Sequence, residues 1–132
     1  MAPEPFQYAV LRIVPRVERE EFVNAGVILF CRTRRYLAAR IEVDGARLAA
    51  LAGPTGLEGV REHLETLARI AAGDPEAGPI AQLPQSERFH WLVAPSSTVI
   101  QPSPVHSGLS DDPARTLDHL VASLVLPPAT PA

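Results

Sequence analysis

The chain has 132 residues, of which 46% are hydrophobic, and a net charge of −3. This length suits one domain with an ordinary apolar core, and the sequence pI of about 5.8 argues against a dedicated nucleic-acid binder. No apolar run approaches the roughly 20 residues that a membrane helix needs. The single cysteine, Cys31, excludes an internal disulfide framework.

The first residues lack the basic start and long apolar core of a secretory signal peptide. We therefore expect a cytoplasmic protein without membrane association. It should form one domain over residues 1–127, followed by a frayed tail over residues 128–132.

Three β-strands are predicted in the first third of the chain. Residues 6–14 are rich in β-forming side chains and are followed by Pro15, residues 22–31 are almost continuously apolar, and residues 36–43 follow a short basic turn. The short connection between the second and third strands favours an antiparallel hairpin.

Two helices are predicted next. Asp44 is a suitable N-cap for a short helix that ends near Ala52. Thr55 and Glu58 fit a capping box, which would open a longer amphipathic helix that ends at Gly73.

The last third of the chain is predicted to add two strands and a helix. Phe89, Trp91 and Val93 alternate with Arg88, His90 and Leu92, and residues 98–101 form a second β-rich run. Residues 102–110 hold too many Pro, Ser and Gly for a regular element, and Asp112-Pro113 is typical of a helix start. The order β-β-β-α-α-β-β-α predicts an α+β fold, a mainly antiparallel sheet of about five strands with helices packed on one face.

Arg12 is the most unusual residue of the first strand, because its face is otherwise apolar. A buried guanidinium is costly unless it is paired. We therefore expect a carboxylate partner: Glu21 first, with Glu18 or Glu20 as alternatives. The pair would either clamp two strands together or hold the arginine ready for an anionic ligand.

Asn24 and Gly26 interrupt the second strand, on the face predicted to carry Phe22, Ile28 and Phe30. The Asn amide needs hydrogen-bond partners, and a glycine permits a β-bulge or the close approach of another backbone. Bulges occur where sheets bend and also beside binding sites, so a structural and a functional role both stay open.

Ser97 and His106 lie in two breaker-rich segments on either side of the predicted fifth strand. His106 is the histidine best placed for acid–base chemistry, although it could equally organise its loop through hydrogen bonds. A direct Ser–His dyad is disfavoured, because a strand separates residues by roughly 3.3 Å each. Potential metal ligands are scattered singly, so we predict no metal and no other cofactor.

The chain contains no catalytic motif of high specificity, neither a nucleotide-binding glycine loop nor a zinc-protease or serine-hydrolase signature. We therefore favour a protein that is not an enzyme, with His106 and Glu21 as the catalytic candidates if it is one. The ligand-binding candidates are Arg12, Asn24, Gly26 and Ser97. Nucleic-acid contact through the Arg32–Arg35 turn is a weaker alternative.

Two blocks of the sequence are similar to a known bacterial family. The first contains Tyr8-Ala-Val-Leu-Arg12 and Glu21-Phe-Val-Asn24, and the second contains Pro104-Val-His106-Ser-Gly108 and Asp112-Pro113. Together they resemble the family called domain of unknown function 3037. The resemblance implies a cytoplasmic domain and the same candidate residues, but no reaction. It also implies a partner-subunit role beside a kinase of the toxin-kinase type.

We predict a non-catalytic binding domain, the small companion subunit of a kinase-like protein, with an exposed apolar patch or a free strand edge. The alternative is a small enzyme or anion-binding domain in which Arg12, Glu21, Asn24 and His106 converge on one pocket. Whether the chain forms a homo-oligomer stays open.

Overall fold

The computed structural model describes residues 2–53, 57–96 and 98–128. Within them the strands are β1 (Glu4–Ile13), β2 (Val23–Cys31), β3 (Tyr36–Ile41), β4 (Ile100–Pro102) and β5 (His106–Ser110). The α-helices are α1 (Gly45–Ala52), α2 (Val60–Ala72), α3 (Gln85–Leu92) and α4 (Pro113–Leu124). Short 3-10 turns lie at Val17–Arg19, Pro75–Ala77 and Pro79–Gln82.

The strands form one antiparallel sheet with β1 at its centre. β2 pairs with one side of β1, and β3 pairs with β2. The other side of β1 pairs with β5 along its first half and with β4 along its second half. The predicted α+β class and the five-stranded antiparallel sheet are confirmed, and the first three strands lie within two residues of their predicted bounds.

The segment predicted as a strand over residues 88–93 is helix α3 instead. Its buried side chains, Arg88, Phe89 and Leu92, lie on one side of a helix, whereas Trp91 is 47% exposed. Arg88 is buried because its guanidinium donates to the backbone carbonyls of Leu83 and Ala71, 2.6 and 3.3 Å away. Because Arg88 is polar but buried, the sequence does not show the apolar spacing of this helix and shows alternation instead.

Residues 102–110, predicted to be irregular, contain strand β5. Between β4 and β5, Ser103 continues the pairing with β1 across a proline-rich segment. Its N–H donates to the carbonyl of Val10, and its Oγ accepts from the N–H of Val10, both at 2.8 Å. Gly108 then fits against the Phe6 ring, because a Cβ at that position would lie 2.7 Å from Phe6 Cζ.

The helices cover both faces of the sheet rather than one. Helices α2 and α3 pack on the face that carries Leu11, Ile28 and Phe30. Helix α4 packs on the opposite face, which carries Phe6, Val27 and Leu29. The side chains of β2 are apolar on both faces of the sheet. Helices therefore pack on both faces to bury them.

Two predicted helix N-caps, Asp44 and Asp112, are present in the structure. The Asp44 carboxylate accepts from the N–H groups of Ala46 and Arg47, and the Asp112 carboxylate accepts from that of Arg115. Helix α2 begins at Val60, later than the capping box predicted. Thr55 of that box and residues 129–132 of the predicted tail lie outside the described residues. None of the described helices is long and apolar enough to cross a membrane.

Candidate functional site

Three polar residues form a row across adjacent strands on the α4 face of the sheet. Arg12 of β1 is paired with Asn24 of β2 on one side and with Gln101 of β4 on the other. Residues paired across antiparallel strands share a face, so the three side chains lie side by side. The row stands at the C-terminal end of α4, because Asn24 Nδ2 donates to the carbonyl of Leu124 at 2.9 Å.

The Arg12 guanidinium lies over an aromatic ring at the edge of a surface cavity. Its Cζ is 4.2 Å from the centroid of the Phe22 ring, and Phe22 is 44% exposed. The cavity has a volume of about 340 Å³, and its polar lining is Arg12, Glu20, Ser96 and Gln101. A cation–π contact of this kind contributes about 0.5–2 kcal/mol, which offsets part of the cost of half-burying the charge.

The expected partnership between Arg12 and Glu21 is wrong. Glu21 pairs instead with Arg19, two residues earlier, and this hydrogen bond holds the pKa of Glu21 below its usual range. The two side chains meet because Glu20, between them, has a left-handed backbone with φ of 56°. Among the described residues, the Arg12 side chain has no hydrogen-bond acceptor and no ion-pair partner, and its Nε is buried.

A β-bulge decides the orientation of Asn24. Leu11 pairs with Gly26 and Arg12 with Asn24, so Ala25 is an extra residue in β2. The bulge moves Asn24 to the α4 face, whereas Ile28 and Phe30 face α2 and α3, so the predicted shared face is wrong. The Asn24 Oδ1 is buried and has no hydrogen-bond partner among the described residues.

Gly26 has a structural reason to be glycine. A Cβ at this position would lie 2.8 Å from the backbone oxygen of Arg40 and 2.8 Å from Ile41 Cδ1, both on β3. The close backbone approach and the adjacent bulge are both as the sequence indicated. Gly26 therefore allows β2 and β3 to pair and contributes no group to the cavity beside Arg12.

His106 lies apart from this row. It is the first residue of β5, is exposed, and pairs with Tyr8 of β1, with 5.3 Å between the ring centroids. Tyr8 and Arg12 are four residues apart on β1, a separation of about 13 Å along the strand. The structure thus brings together Arg12 and Asn24, adds Gln101 and Phe22, and leaves His106 and Glu21 elsewhere. Ser97 lies outside the described residues.

The outer edge of β5 is a second feature that could bind a ligand. Both backbone groups of Val10 point towards Ser103, on the β4–β5 side of β1. By alternation, Glu4, Phe6 and Tyr8 also point their backbone groups to that side, towards Ser110, Gly108 and His106. The backbone groups of Ser107 and Leu109 therefore point outward, and no hydrogen bond reaches them from elsewhere in residues 2–53, 57–96 and 98–128.

Strand β5 lacks the devices that normally protect a sheet edge. Such edges usually carry charged residues or prolines, yet His106–Ser110 has neither and Leu109 is 71% exposed. The opposite edge is different, because Arg40 on β3 forms ion pairs with Asp118 at 2.7 Å and with Glu42 at 3.2 Å. The β3 edge of the sheet therefore carries charged side chains, whereas the β5 edge carries none.

A cavity adjoins the β5 edge on the α3 face of the sheet. It has a volume of about 420 Å³ and is lined by Pro5, Phe6, Gln7, Phe30, Arg32, Ser86, His90 and Ser107. Arg32 and His90 are exposed, and no acidic side chain belongs to the lining. The cavity therefore combines an apolar floor with one cationic residue, Arg32, at its rim.

The remaining candidates have local roles. Cys31 is fully buried, and its Sγ lies 3.5 Å from the carbonyl oxygen of Pro5. In the turn after β2, Arg34 donates to the carbonyl of Ala2 at 3.1 Å, while Arg32 and Arg35 are exposed. The described residues contain no cluster of three side chains able to hold a metal ion.

Sequence reasoning missed three contributors to these two sites. Phe22 and Gln101 were not singled out. Phe22 contacts the Arg12 guanidinium, and Gln101 is paired with Arg12 across β1 and β4. Strand β5 was missed as an element. The absence of charge in residues 106–110 was the one signal in the sequence that could have marked an unprotected edge.

Fold and site together define a small α+β domain: an antiparallel sheet between helices, whose β5 edge carries neither a charged residue nor a proline. The chain belongs to the family described as Protein of unknown function (DUF3037), whose model matches residues 8–125. The family resemblance drawn from the two sequence blocks is confirmed. No curated protein and no solved structure matches the chain.

Proposed function

We propose that this chain is a non-catalytic partner domain that binds an extended segment of another protein along the outer edge of β5. The observation that carries the proposal is the outward backbone of Ser107 and Leu109 on a strand without charged or proline residues. An extended segment added there would gain main-chain hydrogen bonds, as in β-strand addition generally.

The dimensions of the edge favour a peptide segment over a second copy of this chain. Five strand residues span about 17 Å, and one strand is only about 5 Å thick. A stable dimer buries roughly 800 Å² on each partner, which is far more than this strip offers. One extended segment of a partner protein fits the strip.

The cavity beside the edge indicates what the segment carries. Side chains from alternate positions of an added strand would face the α3 side of the sheet, next to Leu109 and Ser107. Arg32 at the rim of the cavity attracts negative charge, and Phe30 and Pro5 offer apolar contact. The proposed segment therefore pairs an apolar residue with an acidic one two positions away.

The proposal assigns the chain to the bacterial cytoplasm as the companion of a kinase-like protein, and co-expression tests this directly. A tagged chain is co-expressed with the products of the genes that neighbour its own, and co-purification is measured. Ser107→Pro removes an outward N–H without touching the β1 pairing, so it should reduce recovery of the partner at least about tenfold. Leu109→Ala keeps the backbone donor and should reduce recovery less.

Two results would overturn the proposal. One is recovery of a partner that is insensitive to Ser107→Pro although the variant melts like the parent chain. The other is a concentration-dependent dimer of the isolated chain that Ser107→Pro abolishes, because a second copy would then occupy the edge. Arg12→Gln, a change on the opposite face, serves as the matched control and should retain the partner.

A further inference from the structure

We infer that Arg12, flanked by Gln101, forms a second binding site, independent of the β5 edge, that accepts an oxyanion group: a carboxylate or a phosphate. The site is the cavity of about 340 Å³ that both residues line, with Phe22 and Val17 as its apolar walls.

Among the described arginines that are at least partly buried, Arg12 is the one without a hydrogen-bond or ion-pair partner. Arg19, Arg40 and Arg69 bind carboxylates. Arg34 and Arg88 donate to backbone carbonyls. Arg12 is half-buried on a central strand and has neither kind of partner in the described part of the chain. A charge held in that position favours an external anion, since desolvation strengthens its attraction for one.

The position of the guanidinium makes Arg12 available to a ligand in the cavity. Its Cζ lies over the Phe22 ring, and its Nε is buried without a hydrogen-bond partner among the described residues. Arg12 also lines the cavity. A guanidinium fork that reaches a cavity can grip a carboxylate or phosphate through two parallel hydrogen bonds.

The side chains of the two residues paired with Arg12 are held by hydrogen bonds of their own. Asn24 is anchored to α4 by its bond to the Leu124 carbonyl, and its Oδ1 is a buried acceptor at the position paired with Arg12. Gln101 is anchored by donation from its Nε2 to the carbonyl of Thr98 at 2.9 Å. Glu20 is the one carboxylate that lines the cavity, and it forms no ion pair with Arg12. It therefore opposes anion binding.

Nuclear magnetic resonance of the full chain tests the site with two probes, inorganic phosphate and acetate, each titrated at constant ionic strength. We expect saturable shifts of the Arg12 Nε–H signal and of the Asn24 and Gln101 side-chain amides. The probe with the lower Kd identifies the oxyanion source. Arg12→Gln should weaken binding at least about tenfold, the loss of one charge-assisted hydrogen-bonded pair. Arg61→Gln, at an exposed arginine of α2 outside both sites, should leave it unchanged.

Glu20→Gln makes the test independent of any loss of stability. Removing the opposing carboxylate should lower the Kd for phosphate, a gain that a damaged fold cannot produce. Shifts that never saturate with either probe, or a Kd that Arg12→Gln leaves unchanged, would overturn the site. Neither outcome depends on a protein partner, so this proposal and the one for β5 can fail separately.

Discussion

Replacing Phe89 by alanine should lower the free energy of unfolding by about 3–5 kcal/mol, the range for a buried aromatic ring. Phe89 is 1% exposed and packs against Phe30, with 5.1 Å between the ring centroids. The loss should lower Tm by more than about 10 °C in a chain of this size. Urea unfolding followed by circular dichroism measures it, since this signal does not depend on tryptophan.

Trp91→Ala is the matched control for Phe89→Ala, because it tests the helix itself. In a strand, residues two positions apart share a face and would be buried alike. In helix α3, Trp91 is not among the buried residues and is about half exposed. We expect its replacement to cost about 1 kcal/mol or less. Equal losses at the two positions would contradict the helix and restore the strand over residues 88–93.

Gly26→Ala should cost about 3 kcal/mol, at the upper end of the usual range for overpacking. The methyl group would lie 2.8 Å from the backbone oxygen of Arg40, and backbone moves less readily than a side chain. Strand β3 does not shift outward freely, because it is paired with β2 from Gly26–Ile41 to Cys31–Tyr36. Thermal and urea unfolding of the two chains give the difference.

The control for Gly26 is another glycine with open surroundings. At Gly45, in the first turn of α1, a Cβ would meet no atom within 4 Å. Gly45→Ala should therefore change stability by no more than about 0.5 kcal/mol. If Gly26→Ala proved equally neutral, the close pairing of β2 and β3 described above would be contradicted.

The parts of the fold that the sequence predicts well are those decided locally. Strands β1 and β2 are long runs of β-forming apolar residues, and Asp44 and Asp112 cap their helices with their own side chains. Strand β5 is decided by distant residues instead. Its breaker-rich sequence becomes a strand because β1 supplies a partner and Ser103 bridges the prolines, and neither fact is visible within residues 102–110.

The candidate sites also contain some features that are decided locally and others that depend on distant residues. The sequence singles out Arg12 and Asn24 because a polar side chain in an apolar strand is unusual. It cannot place Asn24, because one extra residue at Ala25 reverses the face of everything before it. Nor can it choose the partner of Glu21, which depends on the positive φ of Glu20.

Amide hydrogen exchange of the chain, alone and bound to its co-purified partner, is the measurement that tests strand addition at β5 most directly. In the isolated chain, the amides of Ser107 and Leu109 should exchange fast and that of Gly108 more slowly, because of these three residues only Gly108 points its N–H towards β1. On binding, Ser107 and Leu109 should slow at least about tenfold as they gain hydrogen bonds to the partner. A complex in which both amides exchange as fast as in the isolated chain would contradict the account.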